Sequence, residues 1–410
     1  MHSHLARAVA LTAALLPALA QAAPLTLERV LDLAVQRSES ARSARAGASS
    51  ASESARAAGQ LPDPTLQAGI DNLPVTGAGA FRTTSDSMTM KRIGISQEWL
   101  PSRKRAARQA AADAVSARDD AQIQTATADA RLQTALAYVD AFYAKEALKL
   151  TSLMEHHAHE ELEASKARVS SATGSSQEVL ALTSARGMAE DDSDEVRQQQ
   201  SEAVVALARW IGMPVDDLAP PVVSPPSTEA EFVSQYPSLV TLRRDVDVAK
   251  QEAAVTASER TPNWTWQVSY GQRTGYSDMV SVGVSIPLQV APAQRQDRET
   301  ASKLALVEKA EADLAEATRT ASAEYESLLG DVQRLQQRIA RYRSSVVAPA
   351  QQRIDAVTAD YASNQASLAT LFEARHAEVD AERKLLALQR DLAKAQVQLA
   401  FKPLSNGGVQ

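Results

Sequence analysis

The sequence predicts a mainly α-helical protein with a small β part and an internal two-fold repeat. Hydrophobic residues make up 44% of the chain but aromatic residues only 4%, so the apolar content is mostly Ala, Leu and Val. That composition suits long helices whose backbones approach closely, rather than a thick globular core. The second observation is two very long helical stretches, and the third is that both halves of the chain have the same order of elements.

Composition also excludes several classes of function. The 43 Lys and Arg residues against 50 Asp and Glu residues give a net charge of −7, which excludes a basic nucleic-acid binder. Because the chain has no cysteine, disulfides, thiolate metal sites and a cysteine nucleophile are excluded. No phosphate-binding glycine loop, nucleophile elbow or dinucleotide fingerprint occurs, so we expect neither catalysis nor a cofactor.

The first predicted element is a signal peptide over residues 1–22. Arg7 precedes an apolar run from Ala8 to Ala20, and the run ends in the small-x-small sequence Ala20-Gln21-Ala22. A buried N-terminal helix is the alternative. We expect export without an N-terminal lipid anchor, because no cysteine follows the cleavage site. No later stretch of about 18 apolar residues is available to cross a membrane as a helix.

The chain after the signal peptide is predicted to be a duplication. Repeat 1 covers 23–214 and repeat 2 covers 229–402, with a Pro-rich linker over 215–228 and a tail over 403–410. Each repeat is expected to contain a helix, a β-hairpin and a long helical hairpin. The β-hairpins are predicted at about 64–99 and 263–289, and the helical hairpins at about 102–211 and 294–400. The turn at Ala172–Ser175 lies 191 residues before its expected counterpart, Ser363–Ala366.

The long helices determine the expected shape. The stretch from Ser102 to Val169 contains no proline and would be roughly 100 Å long as a helix. Pro349 is expected to kink the corresponding helix of repeat 2. Apolar spacings of three and four predict two buried seams: Leu136, Val139, Tyr143, Leu150 and Leu153, and then Leu385, Leu388, Leu392, Ala395 and Leu399. A soluble coiled coil would show the same helices, so the helices alone do not decide the function.

The β segments distinguish a membrane protein from a soluble coiled coil. Apolar residues alternate with small polar ones along the second hairpin, which predicts one membrane-facing surface. Its residues are Trp264, Trp266, Val268, Tyr270, Val280, Val282, Val284 and Ile286. A half-buried sheet in a soluble protein can alternate too, but here the aromatic residues gather where the segments begin, as at a membrane boundary. In the first hairpin, a bulge near Lys91-Arg92 is expected to reconcile Ile93 and Ile95 with Met88 and Met90.

Four short strands cannot close a barrel within one chain. In lipid, their open edges would leave backbone groups unsatisfied, at a cost of several kcal/mol each. We therefore predict that several chains share one outer-membrane barrel, continued through the periplasm by a helical barrel.

The order of these elements, together with several short stretches, resembles the TolC-type outer-membrane efflux family over nearly the whole exported chain. The matching stretches are Leu25–Glu28, Leu61–Pro64, Tyr236–Leu239, Gly174–Leu180 and Asn364–Leu371. The resemblance implies a homotrimer with a twelve-stranded barrel in the outer membrane, extending into the periplasm. It also implies a passive exit duct of a tripartite pump, whose partners are a periplasmic adaptor (a membrane fusion protein) and an inner-membrane transporter of the RND type.

Two loop stretches, Asp71–Gly77 and Met88–Gly94, resemble the heavy-metal (CzcC- and CusC-like) branch of that family. This resemblance implies heavy-metal cations as the cargo. Drugs, or a polypeptide secreted by a type I system, are alternatives with the same fold. A structural periplasmic coiled-coil protein is the alternative from a different class.

The resemblance places both helical turns at the periplasmic tip, where an adaptor would dock. The tip residues are small and uncharged: Gly174, Ser175, Ser176, Asn364, Gln365 and Ala366. A plain helix–helix turn is the alternative. Glu178 and Glu373 are candidates for a cation-attracting pore constriction, with Thr370 in place of a family aspartate. A capping or solvated glutamate near a helix start is the alternative.

A histidine cluster on the first long helix is a weak candidate for metal binding. Its members are His156, His157, His159 and Glu160. His156 with Glu160, or His157 with Glu161, lies one helical turn apart and could share a divalent ion. A solvated helix face is the alternative, and it is also the expectation for the acidic run Glu190–Glu195.

Overall fold

The computed structural model of the protein describes residues 24–215, 217–223 and 228–404. The predicted signal peptide lies outside these residues, as do parts of the predicted linker and tail. The expected fold class is confirmed: the described chain is mainly helical and carries a single four-stranded sheet. Within the described ranges, every helix falls short of the apolar length that a membrane-crossing helix needs.

Each repeat opens with two helices, where the sequence predicted one. Repeat 1 begins with α1 (Leu27–Arg37) and α2 (Glu39–Ala58). Ser38 separates them, because its hydroxyl accepts a hydrogen bond from the Ala41 amide at 3.2 Å and caps α2.

Two long helices complete repeat 1, and repeat 2 then opens with two helices as repeat 1 does. Repeat 1 continues with α3 (Ser102–Ser170) and α4 (Ser176–Ile211). Repeat 2 begins with α5 (Glu229–Ser234) and α6 (Pro237–Ser258), and Pro237 suits the first turn of α6 because it has no amide hydrogen to donate. With 69 residues, α3 is about 100 Å long.

The first long helix of repeat 2 is interrupted before Pro349. It consists of α7 (Gln296–Tyr342), a π-helical turn (Arg343–Val347) and α8 (Ala348–Ala362), and α9 (Leu368–Phe401) returns after the turn. Proline cannot donate a backbone hydrogen bond and its ring clashes with the preceding turn. The wider π-helical turn absorbs that disruption, and the chain continues as helix.

The strands β1 (Thr65–Asp71), β2 (Met90–Trp99), β3 (Trp264–Arg273) and β4 (Met279–Ser285) form one antiparallel sheet in that order. Pairing of β2 with β3 joins the hairpins of the two repeats. The sheet therefore has β1 at one open edge and β4 at the other.

The predicted bulge in the first hairpin is wrong. The β1–β2 ladder pairs one residue with one residue, from Asp71 with Met90 through Thr65 with Ser96. Met90 instead lies on the face opposite to Ile93. It fits there because its partner strand has Gly271, where a Cβ would come within 2.1 Å of the Met90 sulfur. Met88 precedes the strand.

The helices are held together by small apolar clusters along their length. The largest packs α1 against α3, α4 and α9 around Leu31, Tyr138 and Val397. A second cluster near the helical turns contains Met154, Leu162 and Phe372.

The predicted seam on α3 is wrong at Leu153, which is 51% exposed, whereas Met154 is buried. The buried positions there keep spacings of three and four, at Thr151, Met154, Ala158, Glu161 and Ser165, so the seam is a heptad shifted by one residue from the predicted one.

Tyr138 joins the start of repeat 1 to the linker in the largest cluster. Its hydroxyl lies 2.7 Å from the Leu25 carbonyl oxygen and 2.6 Å from that of Ala219, which follows repeat 1. Leu25 and Leu218 also form a parallel β-bridge. Burial raises the pKa of the Tyr138 hydroxyl to about 12, so it remains protonated and able to donate.

Candidate functional site: the apolar sheet and the helical tip

One face of the sheet is apolar across all four strands, apart from Gln97, Lys91 and Gln272 near its ends. The register aligns Leu66, Ile95, Val268 and Val282 in one row, with Ala68, Ile93, Tyr270 and Val280 in the next. Trp266 and Val284 form a further row towards the helices. Val282 is 74% exposed and Val280 69% exposed, so nothing in the described chain covers this face.

All eight residues predicted to face the membrane lie in or directly after β3 and β4. Seven of them fall on strands, while Ile286 directly follows β4 and is also exposed. Trp99 and Trp264 are in contact at the helical end of the sheet, with ring centroids 5.9 Å apart. Aromatic rings at the end of an apolar band are typical of a membrane interface.

The opposite face of the sheet is small and polar. Gly94 pairs with Ser269, and Ser269 with Ser281. The Gln67 amide donates to the Ser96 hydroxyl at 3.2 Å on the same face. A sheet with one apolar face and one polar face matches a barrel wall between lipid and a water-filled interior.

A buried lysine joins the sheet to the helices, and the sequence reasoning missed it. Lys104, at the start of α3, is only 2% exposed. Its ammonium donates to Glu259 Oε2 at 2.6 Å and to Asn263 Oδ1 at 2.8 Å. Asn263 in turn donates to Glu98 of β2 at 2.7 Å. Burial would raise the pKa of Glu259, but hydrogen bonds from Lys104 and Arg108 outweigh it and hold that pKa below its usual value.

The two helical turns at the other end have the same backbone geometry. Ala172 and Asn364 both have φ of 60°, a left-handed conformation that favours glycine. Ser175 caps α4 and Ser367 caps α9, so equivalent positions are 192 residues apart. The predicted offset of 191 was wrong by one residue.

The candidate tip residues are placed on these turns. Ser175, Ser176, Asn364 and Gln365 are exposed, and Gly174 and Ala366 are half-buried. Gly174 is required by a close approach, since a Cβ there would lie 2.8 Å from the Val169 backbone nitrogen.

Glu178 links the two turns. Its Oε1 accepts a hydrogen bond from the Leu368 amide at 3.0 Å, so it caps α9 rather than its own helix. Arg168 lies 3.9 Å from the other carboxylate oxygen, and the Glu178 side chain is only 12% exposed. The turns therefore lie at the same level along the helices.

The other two constriction candidates differ from Glu178. Thr370, at the position equivalent to Glu178, lies 2.9 Å from the Ser367 hydroxyl in the cap of α9. Glu373 is exposed, borders a cavity of about 360 Å³ between α4 and α9, and has no ion-pair partner among the described residues. Of the three candidates, Glu373 is the one that presents its charge to solvent.

The histidine cluster lies on an exposed face of α3. His156 Nε2 is 3.3 Å from Glu160 Oε1, His157 Nδ1 is 3.7 Å from the other Glu160 oxygen, and His159 is exposed. The described part of the chain contains no group of three or more His, Asp or Glu side chains placed to hold a metal ion. Any ion bound here would have fewer than three ligands of this kind from the described chain.

Glu161 has a different partner from the one its spacing suggested. It is buried and forms an ion pair with Arg375 of α9. Burial raises its pKa, and the Arg375 charge opposes that rise. The sequence could have predicted the burial of Glu161, because this residue lies between the buried residues Ala158 and Leu162. The sequence could not have identified its partner on α9.

Comparisons with known proteins agree on the fold. No protein-family model matches the sequence, and no curated protein matches it either. Among solved structures, the outer-membrane channel OprN superposes with a TM-score of 0.76 at 15% identity, covering 92% of this chain and 90% of that one. The outer membrane protein VceC from Vibrio cholerae gives 0.74 at 18% identity, covering 92% and 96%. CusC, described as forming a transmembrane channel, gives 0.75 at 13% identity, covering 92% and 91%.

The chain has the TolC-type channel fold. These matches extend over nearly all of both chains, so they include the sheet and the long helices together. In this TolC-type fold the apolar face and the two helical turns occupy opposite ends of α3. The TM-score of CusC lies between those of the other two and its sequence identity is the lowest of the three, so the heavy-metal branch is not singled out.

Proposed function

We propose that this protein is a passive outer-membrane channel that serves as the exit duct of a tripartite efflux system. The observation that carries the proposal is the sheet, which has one exposed face that is apolar in its central rows, one small polar face and two open edges. In lipid, those edges must be paired by strands of other copies. The TolC-type fold supports the same conclusion, because its solved examples include outer-membrane channels.

Three copies would supply a twelve-stranded barrel, and their helices would extend it about 100 Å into the periplasm. The two turns would then form the periplasmic tip, where the hairpin of a membrane fusion protein docks on the small residues around Gly174 and Ala366. Since nothing in the sequence points to catalysis, the energy for export is supplied by an inner-membrane transporter, for which we propose the RND type.

Heavy-metal cations are the cargo we propose. This rests on the resemblance of Asp71–Gly77 and Met88–Gly94 to the heavy-metal branch. The exposed Glu373 adds support, since three copies around a pore would favour cations. The alternatives with the same fold are channels for drugs or for a type I secreted polypeptide.

Cell fractionation tests the channel itself. We expect the protein in the outer-membrane fraction as trimers that resist dissociation by detergent until heated. Recovery only as soluble periplasmic protein would refute the channel and favour a structural coiled-coil protein.

A growth test separates the cargoes. Deleting the gene is expected to lower tolerance to one or more of zinc, cobalt, cadmium, copper and silver, with tolerance to dyes and other organic compounds unchanged. The reverse result would reassign the channel to drugs, and loss of a secreted polypeptide would reassign it to secretion.

A further inference from the structure

The helical layer nearest the tip has two free ends within one chain. In this layer α4 packs on α3, α3 on α9, and α9 on α8. α4 therefore ends the layer on one side, and α8 with the adjoining part of α7 ends it on the other. The sheet has the same arrangement, since β1 of repeat 1 and β4 of repeat 2 are its two edges. A ring of identical copies must join one end of each copy to the other end of the next.

The α4 end is acidic. The run Glu190–Glu195 contains five carboxylates, and Asp191 and Glu195 are both exposed. Arg186 and Arg197 neutralise Glu190 and Asp194 from the same helix. No cation lies within 4.0 Å of Asp191 or Glu195 in the described chain, so the surplus charge of this end is negative.

The opposite end is basic. Four arginines on α7, the π-helical turn and α8 are exposed, and the described residues offer none of them an ion-pair partner. They are Arg338, Arg341, Arg343 and Arg353. Of the 15 residues of α8, none is buried within the chain. The exposed carboxylates of α8, Asp355 and Asp360, lie below Arg353 towards the tip, so the surplus positive charge of this uncovered end is confined to 338–353.

The two charged ends lie at the same height. The hydrogen bond from Leu368 to Glu178 holds both turns at one level, so distances can be counted from the turns. Glu195 is 19 residues above the start of α4, and Arg343 is 19 residues above the end of α8. At 1.5 Å per residue both lie about 28 Å from the tip. Asp191, at about 22 Å, lies between the levels of Arg343 and Arg353.

We propose that the acidic end of α4 pairs with the basic end of α7 and α8 of the neighbouring copy, forming an ionic seam that sets the vertical register of the helical ring. This rests on the proposed function, because it needs a ring of copies. Opposite charges at matched heights favour the correct head-to-tail contact, and a vertical slip would separate them. The partner is a second copy of this chain, and the acidic run is part of an interface rather than a solvated face.

Crosslinking tests the contact directly, since the chain has no cysteine of its own. The full-length double variant Glu195→Cys with Arg343→Cys is treated in membranes with a short bismaleimide. Within one chain α9 lies between the two positions, since it contacts both α4 and α8. A link within one chain would leave the protein monomeric on a denaturing gel, so a covalent dimer reports the seam between copies. We expect covalent dimers and trimers on a denaturing gel. The control, Glu195→Cys with Lys149→Cys, uses an exposed α3 residue at nearly the same height and should remain monomeric on the gel.

Exchanging the two charges tests whether the ionic seam stabilises the trimer. Glu195→Arg and Arg343→Glu should each lower the detergent concentration that dissociates the trimer. The dissociation constant should rise about tenfold at low salt, because each reversal occurs three times in the ring. The combined variant should recover most of the loss, and high salt should reduce all the differences.

The outcomes separate this inference from the proposed function. Wild-type trimers in the outer membrane, with no crosslinked species and no rescue on charge exchange, would overturn the seam and leave the channel intact. Failure of the wild-type protein to form trimers would overturn both.

Discussion

Substituting Val282 by arginine tests the assignment of the sheet to a membrane. Val282 is the middle residue of β4, and its side chain is 74% exposed on the apolar face. It continues the row formed by Leu66, Ile95 and Val268 across the sheet. In the proposed barrel this row lies near the bilayer midplane, because β4 with 7 residues is about 23 Å long and the apolar band of such barrels is about 25 Å tall.

The expected cost follows from that depth. An arginine at the midplane of the lipid face costs about 2–4 kcal/mol, whereas near the interfaces the cost falls to about 0–1 kcal/mol. Since the substitution occurs once in every chain, the trimer would lose about 6–12 kcal/mol. For one chain alone, about 2–4 kcal/mol corresponds to a shift of roughly 30- to 900-fold in the insertion equilibrium.

Ser281→Arg is the matched control. Ser281 is the adjacent residue, is also exposed, and pairs with Ser269 on the polar face, where a charge would remain in water. Both variants are expressed at equal level, and detergent-resistant trimers in the outer membrane are quantified on unheated samples. We expect strong loss for Val282→Arg and near wild-type recovery for Ser281→Arg. Equal recovery of both variants would mean that the apolar face does not meet lipid, and the argument for a shared barrel would fail.

Three further predictions concern the helices. Glu373→Ala should raise single-channel conductance or weaken cation preference, and Thr370→Asp should strengthen that preference; bilayer recordings unaffected by either change would remove both residues from the constriction. Tyr138→Phe should lower the free energy of unfolding by about 1–3 kcal/mol, because the Ala219 carbonyl loses its donor, and a denaturant midpoint equal to wild type would contradict the role of that hydrogen bond. Ala172→Gly should raise stability by about 0.5–1 kcal/mol, since removing a left-handed alanine gains more than the extra unfolded-state freedom costs; a lower melting temperature would show that the turn is not strained.

Much of the fold could be predicted because it depends on local patterns. The alternation along Trp264–Tyr270 and Val280–Ile286 correctly predicted the shared apolar face, since side chains of a strand alternate between faces with a period of two. Long proline-free sequence likewise predicted α3.

The errors in the predicted fold concern residues for which the sequence allows two packing arrangements. Met90 was assigned to the apolar face by its chemistry, but it lies on the other side, where Gly271 leaves room for it. Leu153 fitted a heptad, whereas the helix buries Met154. In each case the packing partner, and not the residue itself, decided the outcome.

The sequence by itself determined the elements, the duplication and the two-faced sheet, because these follow from spacing along the chain. Only the tertiary structure decided the partners of the charged side chains. Glu178 caps a helix that begins 190 residues later, Glu161 pairs with an arginine 214 residues away, and Lys104 is buried against a glutamate at a separation of 155 residues. Such contacts carry no periodic signal, since any exposed-looking charge on a helix can pair with many others. The folded packing of α3, α4, α6 and α9 selects one partner for each and thereby fixes the geometry of the tip and of the junction between sheet and helices.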